Sequence, residues 1–103
     1  MGQEINAIVE SIKNAATVNA IYLFGSFANG TQTENSDLDF YVVVADSAPN
    51  PVDISHKIRM AMWGISKRPV DLIVSRESKF EEKKNWISSV EREVAQKGVK
   101  VYG

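Results

Sequence analysis

Residues 37–45, Asp37-Leu38-Asp39-Phe40-Tyr41-Val42-Val43-Val44-Ala45, decide the fold. In an extended chain Leu38, Phe40, Val42 and Val44 fall on one side and Asp37, Asp39, Tyr41 and Val43 on the other, the two-residue period of a strand. Such a strand belongs inside a sheet, and the side that starts with two carboxylates is the informative one. Upstream, Ala20-Ile21-Tyr22-Leu23-Phe24 is a compact apolar run stopped by Gly25, which predicts a buried strand ending in a tight turn. The intervening stretch from Gly25 to Ser36 is rich in Gly, Ser, Thr, Asn, Gln and Glu. It is too polar for a core and too long for a hairpin turn.

Farther out, Ile5, Ile8, Val9, Ile12 and Ala16 recur at helical spacing and predict an amphipathic helix over roughly the first 16 residues. After the breakers Ser47 to Pro51, the spacing of Ile54, Ile58, Ala61, Met62 and Ile65 predicts a second helix. Pro51 opens it and Lys67-Arg68-Pro69 ends it. Val70 to Val74 reads as a third strand. Trp86, Ile87, Val90 and Val94 mark a long final helix closed by Gly98, and Val99 to Tyr102 is a candidate edge strand. This order predicts one α/β (α+β) domain over residues 1–103, a small mixed sheet with helices packed on one face. Strands two and three flank a helical crossover and should be parallel, with strand one antiparallel to strand two. Asp37, Asp39 and Asp71 then meet at one end of the sheet beside Gly25 and Ser26.

Composition narrows the function. Twelve Lys and Arg against thirteen Asp and Glu leave a net charge of −1 over 103 residues, so no basic excess supports non-specific nucleic-acid binding. With no cysteine there is neither a disulfide framework nor a thiolate metal site or nucleophile. The longest apolar runs, about five to seven residues, fall far short of the roughly 18 of a membrane span, and the expected location is the cytoplasm. Trp63 and Trp86 are expected as core anchors, His56 as a surface or half-buried histidine, and the mixed charges of Lys79 to Lys84 as a solvated face.

Two Asp residues at i and i+2 on a strand project from one face with Cα atoms roughly 6.6 Å apart. Both carboxylates can then reach a pair of metal ions spaced by about 3.5–4 Å. Their hard oxygens suit Mg²⁺, which takes its remaining ligands from water and substrate phosphates. Asp71, from the neighbouring strand, is placed to hold a metal and to accept the proton of an attacking hydroxyl. The turn at Gly25-Ser26 exposes backbone N–H groups and a hydroxyl to an anion such as a triphosphate. Taken singly, a D-x-D is weak evidence and an isolated Gly-Ser is more often an ordinary turn with a helix cap.

Together, Gly25-Ser26-Phe27-Ala28-Asn29-Gly30 and Ser36-Asp37-Leu38-Asp39 resemble the GS-x-A-x-G and SD-x-D signature of the DNA polymerase β-like nucleotidyltransferase superfamily. At this length the chain is most similar to its minimal nucleotidyltransferase (MNT) domains, often encoded beside a HEPN-type partner as a toxin–antitoxin pair. The resemblance implies that Gly25, Ser26 and Ser36 bind the nucleotide, and that Asp37, Asp39 and Asp71 are catalytic and bind two Mg²⁺ ions. It also implies transfer of AMP from ATP to a hydroxyl of a HEPN-type partner. Asn29 stands where many members carry Arg, which leaves a second expectation open: a catalytically weak binding module that neutralises or scaffolds its partner by contact.

Overall fold

The structure, a computed structural model, describes residues 2–25, 37–66 and 68–103. Its elements are α1 (Gly2–Ala15), β1 (Ala20–Phe24), β2 (Leu38–Val44), α2 (Pro51–Ala61), β3 (Val70–Arg76), α3 (Glu77–Lys83), α4 (Val90–Lys97) and β4 (Val99–Tyr102). The four strands form one mixed sheet in the order β3-β2-β1-β4. As the helical crossover predicts, β3 runs parallel to β2; β1 is antiparallel to β2, and β4 closes the other edge on β1.

The apolar side of β2 packs as its pattern requires. Leu38, Phe40, Val42 and Val44, with Ile21 and Leu23 of β1, are covered by Ile8 and Ile12 of α1 and by Ile54 and Ile58 of α2. Helix α2 begins as its sequence dictates. Asn50 Oδ1 accepts from the Val52 N–H at 2.9 Å, and Pro51 occupies the first turn, where a missing N–H costs nothing.

Helices do not lie on one face alone. The opposite side of β2 is polar only at Asp39 and at Asp37 just ahead of the strand. From Tyr41 onward it is apolar, and Tyr41 and Val43 are buried with Phe24, Phe80 of α3 and Val94 of α4 in a second core. The rings of Tyr22 and Tyr41 both pack on Phe80, at 5.5 and 5.3 Å between centroids. A sheet with both faces apolar must be covered twice.

The expected long final helix is two short ones. Ser88 takes a left-handed φ of 68°. Ser89 next to it caps both neighbours: its hydroxyl donates to the Lys83 carbonyl at 2.6 Å and accepts from the Arg92 N–H at 3.0 Å. A serine that satisfies the end of one helix and the start of the next makes the break more favourable than a continuous rod. Trp86 and Ile87 consequently sit on the exposed turn rather than in a core. Helix α2 likewise stops at Ala61, ahead of Lys67-Arg68-Pro69, where a turn leads to Gly64 with φ 79°. Trp63 on that turn is 89% exposed, so neither tryptophan is a core anchor. Strand β3 runs two residues farther than Val74, because Arg76 Nη1 donates to the Asp46 and Ala48 carbonyls at 2.8 and 2.7 Å and ties its end to the turn after β2.

One buried polar contact holds the second layer in place. The Tyr41 hydroxyl donates to Glu91 Oε2 at 2.8 Å, both residues being buried. Burial pushes the Tyr41 phenol well above its ordinary pKa, so it remains a donor at any working pH. Tyr41→Phe strands a buried carboxylate and should lower unfolding stability by about 1–3 kcal/mol, whereas Glu91→Gln keeps an acceptor and should cost less. Urea unfolding checks this, and an unchanged midpoint for Tyr41→Phe would refute it.

Candidate active site

The parallel pairing of β2 with β3 puts Leu38 opposite Val70 and Asp39 opposite Asp71. Leu38 N–H donates to the Pro69 carbonyl at 3.0 Å, fixing this register at the mouth of the sheet. Paired residues on adjacent strands point to one face, so the two carboxylates lie side by side. On the other flank of β2, Phe24 is the antiparallel partner of Asp39, and Gly25 follows directly.

Gly25 is there for two reasons. Its φ of 76° is a left-handed conformation that side chains disfavour. A Cβ at this position would also run into Asp39 Oδ2 and stand 3.2 Å from Asp39 Cγ. The Asp39 carboxylate therefore rests against the backbone of the turn, between Gly25 and Asp71.

Electrostatics marks the same residue. Asp39 is raised from 3.8 to about 6, first by burial, then by a hydrogen bond and the charge of Asp71, and further by the charges of Asp37 and Glu93. Each influence acts in the same direction, the signature of like charges gathered in a partly dry site. A hydrogen bond between two carboxyl groups needs a proton, and a divalent cation can replace that proton with a charge both oxygens prefer.

Asp37 stands just ahead of β2, is exposed, and acts on Asp39 through its charge. Among the described residues, no three His, Cys, Asp or Glu side chains are grouped closely enough to enclose a metal. The Asp39 and Asp71 pair nonetheless fits a hard cation that keeps open positions for water and phosphate oxygens, since both donors are carboxylates at one solvent-facing end. Ser26 and Ser36, expected at the nucleotide, lie outside the described residues. His56 is exposed on α2.

Two residues were not singled out in the sequence, Glu91 and Glu93. Glu91 shares the buried stripe of α4 with Val94, three residues on, and a carboxylate at such a position is a signal that its partner must be a buried donor. Glu93 carries no local signal, because its approach to Asp39 depends on how α4 folds back over the sheet.

The profile of the family "Polymerase beta, Nucleotidyltransferase" matches residues 6–101. The chain belongs to this nucleotidyltransferase family. It is 31% identical over 100 residues to a Methanocaldococcus jannaschii protein named "Putative protein adenylyltransferase MJ0604", an alignment covering 95% of this chain and 94% of that one. It is 44% identical over 46 residues to protein adenylyltransferase MntA of Shewanella oneidensis, covering 44% of this chain but only 33% of the relative. Among solved structures it resembles a toxin–antitoxin crystallised with AMP-PNP, with a TM-score of 0.62 and 28% identity over 95% of this chain and 72% of that one. No helix among the described residues is long and apolar enough to cross a membrane.

Because Asp39 holds its proton more tightly folded than unfolded, the folded state binds the extra proton between pH 3.8 and about 6. Stability should fall as pH rises through that window and level off above it. Asp39→Asn removes this contribution, so urea midpoints measured from pH 4 to 7 should decline less steeply in the variant. Parallel profiles for the two proteins would contradict the assignment.

Proposed function

We propose that this chain is a single nucleotidyltransferase domain over residues 1–103 that works in the cytoplasm and transfers AMP from ATP to a hydroxyl of a partner protein. The observation that carries this reading is the pairing of Asp39 with Asp71 against the Gly25 turn. Its support comes from a chain similar over almost its whole length to a protein named as an adenylyltransferase. AMP-PNP, present with the toxin–antitoxin relative, is an ATP analogue and supports the choice of nucleotide. The partner we infer is a HEPN-type toxin, since the structural relatives are toxin–antitoxin complexes.

In this reading Asp37, Asp39 and Asp71 are the catalytic residues that hold Mg²⁺, and Gly25, Ser26 and Ser36 bind the nucleotide phosphates. When bound, two Mg²⁺ ions would supply charge neutralisation on the triphosphate and its leaving group. The Gly25 turn presents backbone N–H groups to the outer phosphates and fixes the chain of phosphates in line with the acceptor. Asp71 accepts the proton of the acceptor hydroxyl as its oxygen bonds the α-phosphorus. The bond from that phosphorus to the β-bridging oxygen breaks, and pyrophosphate leaves.

A second reading, a module that silences its partner by contact alone, is motivated by Asn29, which stands where many family members carry Arg. One experiment separates the two. With α-labelled ATP, Mg²⁺ and the protein encoded in the neighbouring reading frame, the wild type should label that partner, and Asp39→Asn should reduce labelling by at least about 100-fold. Undiminished labelling would overturn the catalytic assignment, and full protection against the toxin by an unlabelling Asp39→Asn protein would favour the contact reading. Gly25→Ala, strained in backbone and crowded against Asp39, should also lose labelling while keeping its fold by circular dichroism.

A further inference from the structure

The charges of this chain are not evenly spread. Residues 52–69 contain Lys57, Arg59, Lys67 and Arg68 against one acid, Asp53, leaving eight cations against twelve carboxylates on the rest. The same segment exposes large apolar side chains: Met60 is 80%, Trp63 89% and Val52 60% accessible. Val52, His56, Met60 and Trp63 recur every three or four residues along α2 and its following turn, so they make one stripe. An apolar stripe set among cations on an otherwise acidic domain is a surface of the kind that marks interaction sites.

Its position gives it a direction. A cleft of about 620 Å³ lies beside the stripe, with Arg59, Met62, Trp63, Arg68 and Val70 in its walls. Val70 pairs with Leu38 at the start of β3 and immediately precedes Asp71. Val70 packs toward the core under α1 and α2, whereas Asp71 faces the other way, so the cleft and the carboxylate pair are back to back across one end of the sheet.

We propose that this cleft and stripe dock an acidic, hydroxyl-bearing segment of the acceptor protein, with Trp63 as the anchor, and so present the acceptor to Asp39 and Asp71. The proposal rests on the transfer reading above for its acceptor, but not for the docking itself. A protein segment fits better than a nucleic acid. The guanidiniums of the cleft are already oriented, Arg68 on Glu4 Oε1 at 3.2 Å and Arg59 on the Val70 carbonyl at 3.4 Å. They form a mixed rim rather than a row of phosphate clamps. Met60 and Val52 add aliphatic area that suits side chains more than bases. Tryptophan, arginine and methionine are also the residue types enriched at the centre of protein interfaces.

The test uses a fluorescein-labelled random copolymer of glutamate and tyrosine, which offers both the acid and the hydroxyl, with binding followed by anisotropy in the absence of ATP. Wild type should bind it, and Trp63→Ala, Met60→Asp and Arg59→Glu should each weaken binding by about ten-fold or more. Asp39→Asn should bind at least as tightly as wild type, which separates docking from transfer. Trp86→Ala, on the opposite layer, should leave binding unchanged. Equal binding by wild type and the folded stripe variants would overturn the proposal, as would tighter binding of an oligouridylate than of the copolymer. Loss of AMP transfer in Asp39→Asn with binding retained would leave docking standing, whereas transfer by wild type with no copolymer binding would refute docking alone.

Discussion

β2 and β3 run parallel with Asp39 opposite Asp71, and the arrangement of the active end follows from that register. A slip of one residue would send Asp71 to the side covered by α1 and α2 and leave Asp39 beside an apolar neighbour. The register is held by the burial of Leu38, Phe40, Val42 and Val44 in one core and Tyr41 and Val43 in the other, so any shift would expose one set or bury a carboxylate. Packing far from the chemistry thus keeps two acids in contact.

Holding them there is unfavourable. Asp39 meets burial and the charges of Asp71, Asp37 and Glu93, and its raised pKa measures that cost. A sheet end that accumulates like charge where a glycine turn meets the carboxylate is one whose cost a cation would offset. The second layer contributes to the same end, since the Tyr41 and Glu91 hydrogen bond seats α4, from which Glu93 acts on Asp39.

The two ends of the charge distribution are complementary. Asp39 and Asp71 lie on the side of β2 and β3 that faces α3 and α4, while Lys57 and Arg59 lie on α2 and Arg68 follows it on the other side. A chain of net charge −1 can in this way hold an acidic cluster and a basic, apolar stripe on opposite sides of one sheet without either cancelling the other.

The strands were legible because their alternation is local: Leu38 to Val44 states which side is buried, and the element order makes β3 parallel. That pattern brings Asp37, Asp39 and Asp71 to one end, with Gly25 beside them. Sequence periodicity misread Trp86 and Ile87 as part of a helical stripe, because apolar spacing does not report that Ser89 can cap two helices at once. It also left one face of the sheet open, since Tyr41 and Val43 reveal their cover only when α3 and α4 fold back. The sequence by itself determined the strands, the parallel pair and the acids at its mouth, all set by short-range pattern and element order. Only the tertiary structure decided that Asp39 touches Asp71 while Asp37 acts at a distance, that Glu93 joins them, and that Trp63 points to water, because these depend on distances between segments far apart in the chain.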